Sequence, residues 1–337
     1  MRFEQMIGRI IEGDCIELIK KIPSKSIDLV ITSPPYYKQR DWMGIGNEET
    51  PEAYLEKILG VFHECVRVTK DTGSIIFNLG DKYHEGSLLL IPYRFAIEAL
   101  RREKVKLINT ITWVKTNPTP RQFKRRLVQS TEPFFHFVKS DNYKFNLHAF
   151  MSEEARTERK RRMKNIGQRY FKLIEEASLS EYEKEMAREE LRKVIEEAKE
   201  GKIKEFRMKV RGIHAPAFGG QEGGRKIQME KQGFTIIRIH GNNMKRDVIE
   251  CAVETLKGCP HPAVFPEFIV KELIKLTTDG GDIVLDPFMG SGTVAVAAKK
   301  LRRRFIGFEI NPEYCKYAEE RLKSVENASQ KALFECS

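Results

Sequence analysis

The 337-residue chain holds six cysteines, and no two of them form a C-x-x-C pair. Cys259 and His261 lie close together, but no second Cys/His pair accompanies them, so the usual zinc spacings are excluded and no metal is expected. The simple expectation for such scattered cysteines is reduced thiols. No apolar run is long enough to span a bilayer, and no signal-peptide pattern opens the sequence. The chain also lacks the lysine of a phosphate-binding P-loop and any G-x-G-x-x-G fingerprint, and it has no internal repeat.

Apolar residues make up 41% and charged residues 32%, enough for a buried core within one large or two ordinary domains. The formal net charge of +11 points to a polyanionic partner such as nucleic acid. The first part reads as α/β. Ile27–Thr32 is an apolar strand. Pro51–Val66 has helical spacing, with Thr50 as N-cap and Pro51 at the first helical position. Asp71–Gly73 reads as a turn before a strand at Ser74–Leu79. A helix is expected over Leu88–Leu100, and strands over Ile108–Val114 and Pro133–Val138. From about residue 150 the chain becomes charge-dense, with few strand signals and an exposed helix at Glu181–Glu200. Basic runs (Arg156–Lys164, Lys202–Arg211) and a glycine-rich loop (Phe218–Lys226) lie to either side of it. The α/β pattern returns after about Asp247, with helices at Pro266–Leu276, Thr293–Leu301 and Pro312–Leu322 and strands at Ile283–Asp286 and Phe305–Glu309. The expected segments are 1–148 and 248–325 as two halves of one core, 149–247 as an insert, and 326–337 as a polar tail.

Two stretches carry chemistry. "ITSPPYYKQR" (Ile31–Arg40) ends a strand in a stiff aromatic corner, because proline donates no backbone N–H and cannot continue a ladder. "IVLDPFMGSGTVAVAAKKLRRRFIGFEINPEY" (Ile283–Tyr314) is strand, glycine turn, helix and strand, with an acid at each strand end. Gly290 and Gly292 let backbone approach a ligand at the helix N-terminus, and Glu309 can accept from ribose hydroxyls. An acid at the mouth of the turn repels a pyrophosphate but suits an ammonium and a sulfonium, as in S-adenosylmethionine. Both strands end in these motifs, so one crevice beyond a parallel sheet can hold both.

Together "TSPPY" and "DPFMGSGT" resemble the amino-methyltransferases of DNA, in the motif order of the permuted beta group. "GDCIELIKKIPSKSIDLVITSPPYYKQRDW", "WVKTNPTP", "EPFFHFVKSDNYKFN" and "HPAVFPEFIVKELI" extend the resemblance over roughly 1–150 and 255–323, outside the insert. It implies a doubly wound, mostly parallel, Rossmann-like sheet, circularly permuted, with an inserted and largely helical target-recognition region. It implies S-adenosylmethionine as cofactor, duplex DNA as substrate, and direct transfer of a methyl group to an exocyclic amine. No Pro-Cys nucleophile pair is present for a covalent route.

By this resemblance the Ser33 hydroxyl and Pro34 carbonyl accept the amine's N–H groups, Pro35 stiffens the loop, and Tyr36 stacks on a flipped base. Asp14 accepts from the cofactor's adenine amine, or caps the helix after it. Phe265 walls the methionine pocket, Asp286 lies near the ammonium, and Phe288, Gly290, Ser291, Gly292, Thr293 and Glu309 complete the cofactor site. Arg40, Arg121, Lys124, Arg125, Arg225 and Lys226 are expected on DNA. A serine before Pro-Pro usually accompanies N4-cytosine activity in this family; N6-adenine is the alternative. An RNA base amino-methyltransferase and a non-catalytic DNA-binding protein are the rivals from other classes. The family also implies a prokaryotic, cytoplasmic, nucleoid-associated protein, whether monomer or dimer, with a separate cognate restriction endonuclease as a possible companion.

Overall fold

The computed structural model describes residues 1–118, 123, 125–150, 167–199, 203, 205–214, 225–239 and 245–334. Its strands are β1 (Arg9–Glu12), β2 (Ile27–Thr32), β3 (Thr69–Asn78), β4 (Tyr83–His84), β5 (Ser87–Leu88), β6 (Lys106–Lys115), β7 (Thr131–Val138), β8 (Glu205–Val210), β9 (Phe234–Ile239), β10 (Val248–Cys251), β11 (Ile283–Asp286) and β12 (Arg304–Glu309). The helices, in chain order, are α1 (Phe3–Met6), α2 (Cys15–Ile19), α3 (Pro51–Val68), α4 (Ile91–Arg102), α5 (Gln168–Glu176), α6 (Glu181–Lys199), α7 (Arg225–Gln232), α8 (Glu267–Thr277), α9 (Thr293–Lys300) and α10 (Pro312–Phe334). They fall into two units, Met1–Phe150 with Arg246–Ser337, and Met151–Lys245.

The first unit is built on an eight-stranded sheet of order β1-β12-β11-β2-β3-β7-β6-β10. β1, β12, β11, β2 and β3 run parallel, β7 is antiparallel to β3 and β6, and β10 is parallel to β6. Every residue of β2 and β11 is buried, as near-continuous apolar runs require of parallel strands covered on both faces. Asp28, Thr32 and Asp286 are their polar members, and Asp28 lies away from the carboxyl ends of the strands. Asp28 is held by Lys70 Nζ at 2.8 Å and the Ile283 amide at 3.0 Å, which offsets the cost of burying it.

α3 begins where the sequence signals it, with the Thr50 hydroxyl accepting from the Ala53 amide and Pro51 at the first helical position. Its apolar stripe puts Phe62 edge-on to Phe77, Phe95 and Phe137, with ring centroids 5.0–5.4 Å apart. Each such ring contributes roughly 1.5–3 kcal/mol by leaving water. Two expectations are corrected here. Asp71–Gly73 is no turn but lies within β3, where the pairing jumps from Ile27↔Thr69 to Leu29↔Ser74. The turn residues supply an irregularity in one strand instead of a reversal. The helix expected from Leu88 starts at Ile91, since Leu88 belongs to the β4–β5 hairpin and Leu90 has φ 55°.

The second unit joins α5, α6 and α7 to an antiparallel pair, β8 and β9. The alternation in "EFRMKV" turns Phe206, Met208 and Val210 inward, against Tyr170, Ile174, Leu191, Val194 and Phe234. The pair stands where few strand signals are expected: β8 offers only six residues of alternation, a weak signal, and β9 does not alternate. Arg225 and Lys226 open α7 and do not belong to a loop.

Candidate active site

β2 delivers its chain into Ser33–Tyr36 with little freedom left. The carbonyls of Pro35 and Tyr36 accept from Tyr54 Oη (2.9 Å) and Trp42 Nε1 (3.1 Å). The Ser33 hydroxyl lies 3.1 Å from Tyr36 Oη and 3.3 Å from Asn78 Oδ1. Tyr36 Oη lies 2.6 Å from Asn78 Oδ1 and 3.1 Å from Glu132 Oε2. Asn78 Nδ2 donates to the Pro133 carbonyl at 3.0 Å, so its oxygen is the end turned to the two hydroxyls. Glu132 is ion-paired with Lys115 through its other oxygen. Burial, reinforced by the Glu132 charge, holds the Tyr36 phenol well above its ordinary pKa. It therefore stays a neutral donor.

The end of β11 is furnished differently. Asp286 is 2% exposed; one of its oxygens accepts from Thr32 Oγ1 at 2.6 Å and from the Phe288 amide at 3.0 Å. Burial pushes its carboxyl up to about 7, opposed by those two donors. Glu309, at the end of β12, accepts from the Gly290 amide (2.8 Å) and the Asn311 amide (2.9 Å), one on each oxygen, and burial raises it too. Gly290 and Gly292 have φ of 52° and 80°. A Cβ on Gly290 would meet His261 Nε2 at 2.9 Å, and one on Gly292 would meet Ala318 Cβ at 2.6 Å. Glycine is thus required here for both conformation and space. His261, whose pKa burial lowers to about 4, is neutral and packs edge-on to Tyr314. The Ser291 and Thr293 hydroxyls are buried and bonded to Arg321 of α10 at 3.4 and 3.1 Å.

Both strand ends open into one cleft of about 1470 Å³, lined by Ser33–Tyr36, Asp286–Ser291, Thr293 and Glu309. Phe265 also lines it and stacks on Phe134, with centroids 5.6 Å apart and planes 10° apart. Asp14 lines it while capping α2 through the Ile16 amide at 2.9 Å, so cap and site residue are compatible roles. Arg40 is at the cleft. Arg125 is exposed and does not line it, whereas its neighbour Arg126 does, its guanidinium lying over the rings of Tyr83 (3.9 Å) and Phe123 (3.7 Å). Arg121 and Lys124, and the side chains of Arg225 and Lys226, lie outside the described residues.

The donor set fits a cationic ligand. Asp14, Asp286 and Glu309 place three carboxyl groups among the cleft lining, and Gly290 lines it beside them with left-handed backbone. A pyrophosphate would meet only repulsion from them. Among the described residues there is no cluster of three or more His, Cys, Asp or Glu able to hold a metal, and no helix long and apolar enough to cross a membrane.

The quoted motifs contain Glu132, Lys115 and Thr32, but the motif reading gives them, like Asn78, no role. Their signal is topological. Asn78 and Glu132 sit at the adjoining ends of β3 and β7, and Thr32 is the last residue of β2. Only the strand order brings them together.

Residues 27–320 match the family of DNA methylases designated N6/N4. Among curated relatives, Type II methyltransferase M.XycI of Xanthomonas campestris pv. cyanopsidis is 27% identical, covering 96% of this chain and 91% of its own. Orphan methyltransferase M.BamHII of Bacillus amyloliquefaciens is 31% identical, covering 93% and 91%. DNA adenine methyltransferase YhdJ of Escherichia coli K12 is 26% identical, covering 98% and 88%. Among solved structures, the cytosine-N4-specific PvuII DNA methyltransferase superposes with a TM-score of 0.58, covering 93% of this chain and 85% of that one at 18% identity.

Proposed function

Because the chain belongs to the N6/N4 family of DNA methylases, we propose that it methylates the exocyclic N4 amine of a flipped cytosine in duplex DNA. S-adenosylmethionine, when bound, supplies the methyl group. The observation that carries this reading is the junction of the two strand ends. Thr32 Oγ1 donates to Asp286 across 2.6 Å, so a hydroxyl-bearing corner and a carboxyl-bearing corner adjoin in one cleft.

An exocyclic amine is a poor nucleophile because its lone pair is delocalised into the ring. Ser33 Oγ and the Pro34 carbonyl accept its N–H groups and restore density to nitrogen. The prolines fix these acceptors in advance, so little reorganisation accompanies transfer. Tyr36 offers its ring face to the base, which must leave the duplex to reach the cleft. Asp286 faces the cofactor's ammonium, Glu309 its ribose, Asp14 its adenine amine, and Phe265 its methionine arm. Arg40 and Arg126 stand at the cleft to meet phosphate, in keeping with the basic net charge. The second unit, spanning the chain between the two core segments, is the target-recognition region, and the motif order is that of the permuted beta group. The enzyme acts as the modification arm of a restriction–modification pair in a prokaryotic cytoplasm, with the endonuclease as a separate protein.

Adenine N6 is the second reading, favoured by the likeness to YhdJ across nearly the whole chain. Serine before Pro-Pro favours cytosine. Nucleoside mass spectrometry with long-read sequencing of DNA from a host expressing the gene decides between them. N4-methylcytosine in one sequence context is expected; N6-methyladenine selects the second reading, and unmodified DNA with methylated tRNA removes both. Exchanging residues 150–246 for the matching region of a relative with another target tests the recognition assignment. A chimera that still modifies the original site would remove it.

A further inference from the structure

We propose that Glu132 is the terminal proton acceptor of the methyl transfer, reached from the target amine through Ser33 Oγ and Tyr36 Oη. The inference rests on the amine-methylation reading above. When the nitrogen lone pair forms the N–C bond, the electron pair of the breaking S–C bond returns to sulfur. The nitrogen is then left with positive charge and one proton too many. The site must give that proton somewhere to go.

Several carboxyl groups stand at the cleft, and their surroundings differ. Asp14 caps α2, and Asp286 and Glu309 are tied to the glycine loop. Among the described residues, Glu132 is the carboxylate in contact with the hydroxyls of the Ser33–Tyr36 corner. Asn78 also touches both hydroxyls, but an amide oxygen is a weak base and serves here to orient them. Because the Asn78 amide group is pinned by the Pro133 carbonyl, both hydroxyls are directed inward, Ser33 toward Tyr36 and Tyr36 toward Glu132 or Asn78. The Ser33 lone pairs are thereby left to the cleft side, where an amine N–H can be received. Each link spans 3.1 Å, within hydrogen-bond reach.

The transfer balances. The amine proton passes to Ser33 Oγ, the Ser33 proton to Tyr36 Oη, and the Tyr36 proton to Glu132 Oε2, all as the N–C bond forms. Product amine and both hydroxyls end neutral, and one proton rests on Glu132 until solvent removes it. The groups facing Glu132 suit this task. From β6, Lys115 neutralises its other oxygen while lying 4.9 Å from the centroid of the Trp113 ring, and Trp113 is the residue directly across the strand pair. From β3, Asn78 carries no charge. From the loop, Tyr36 is kept neutral by burial and by the Glu132 charge itself. The Glu132 and Lys115 side chains are only 12% and 20% exposed, so the proton is not simply delivered to bulk water at the start.

The test is single-turnover methylation of duplex DNA by the full chain, with cofactor and DNA saturating, in mixtures of H₂O and D₂O. Wild type is expected to show a solvent isotope effect with a curved dependence on deuterium content, the mark of several protons in flight. Glu132→Gln is expected to be slower by about 100-fold, the lower end of what acid–base groups supply, with calorimetric cofactor affinity unchanged and the curvature lost. Tyr36→Phe should lose the same curvature. Formate should restore a large part of the rate to Glu132→Ala, a rescue that a purely structural role would not give. A wild type with no isotope effect, a Glu132→Gln protein at wild-type rate, or Glu132→Ala unmoved by formate would each overturn the relay alone. A wild type that methylates no DNA would overturn the activity reading and the relay with it.

Discussion

The ends of β2 and β11 lie side by side in one sheet yet carry different chemistry. At β2 the polar groups of the Ser33–Tyr36 corner are hydroxyls and the Asn78 amide, and the carboxylate that touches them, Glu132, is paired with Lys115. At β11 a carboxyl is buried to the point that its pKa reaches about 7, with a second one close by on β12. Parallel strands deliver their ends to the same edge whatever the loops carry. The sheet therefore supplies nearness, and the loop chemistry divides the labour. The uncharged corner can raise the electron density of a neutral amine, whereas the acidic corner can hold a cation. One bond, Thr32 to Asp286, joins them.

The sharpest way to break this division is at the uncharged corner. Ser33→Ala removes a preorganised acceptor and should lower single-turnover methylation by a factor of about 10²–10³, equivalent to roughly 2.7–4 kcal/mol. Calorimetric affinity for S-adenosylmethionine should not change. A variant that methylates normally, or that fails by losing cofactor, would erase the distinction between the two ends.

At the acidic corner the expected loss is smaller and falls on binding. Glu309→Ala should weaken S-adenosylmethionine by about 1.5–3 kcal/mol, the worth of hydrogen bonds to a charged group. It also strips the Gly290 and Asn311 amides of their acceptor, so a lower melting temperature should accompany it. DNA affinity in the absence of cofactor should be unaltered. Gel-shift and titration calorimetry on the same preparation separate the two effects, and unchanged cofactor affinity would take Glu309 out of the site.

How much of this was legible beforehand follows from where each signal is stored. The strand at Ile27–Thr32 and the helix from Pro51 are local facts, written in apolar spacing and capping residues, and both are present as read. Ser33, Asp286 and Glu309 stand out because an unusual residue type sits at a strand end. Glu132 and Lys115 look like ordinary strand residues, and only the antiparallel pairing of β7 with β6 and β3 makes them part of the corner. The reading of Asp71–Gly73 as a turn failed for the opposite reason. Turn residues report a local backbone preference, and the sheet around them absorbed it as an irregularity within β3. In the second unit, β8 is half-hidden among charges because its outward positions are themselves charged.

The acidic corner also sets a pH dependence. The Asp286 carboxyl titrates near 7 when folded, against 3.8 ordinarily. The folded chain therefore binds more protons than the unfolded one between those values, and this group makes stability fall as pH rises through that window. A bound ammonium favours the ionised form, so cofactor affinity should run the other way. It should climb with pH by at most about tenfold per unit up to roughly 7 and then level off. Binding below 7 should release protons, seen as a dependence of the calorimetric heat on buffer ionisation enthalpy. A flat affinity profile with no proton release would mean that Asp286 does not face the cation.

The bond between the corners gives the smallest and most discriminating effect. Thr32 is fully buried and donates to Asp286 at 2.6 Å, a contact that favours the ionised carboxyl. Thr32→Val keeps the shape and deletes the donor. A hydrogen bond to a charged acceptor exceeds one to a neutral acceptor by roughly 1 kcal/mol, so the Asp286 midpoint should move up by somewhat less than about one pH unit. The rise of cofactor affinity with pH should shift by the same amount, with the two proteins binding alike well above both midpoints. Thr32→Ser, which retains the hydroxyl, should follow wild type. The Ser33 side is predicted to be indifferent: at a pH where cofactor saturates both proteins, the single-turnover rates of Thr32→Val and wild type should agree to within a factor of two or so, since a change of about 0.4 kcal/mol is the most a factor of two represents. A profile that shifts while the rate holds would show two corners joined but chemically separate. A rate that falls with the profile in place would show instead that Thr32 positions Ser33, and that the acidic corner was never its partner.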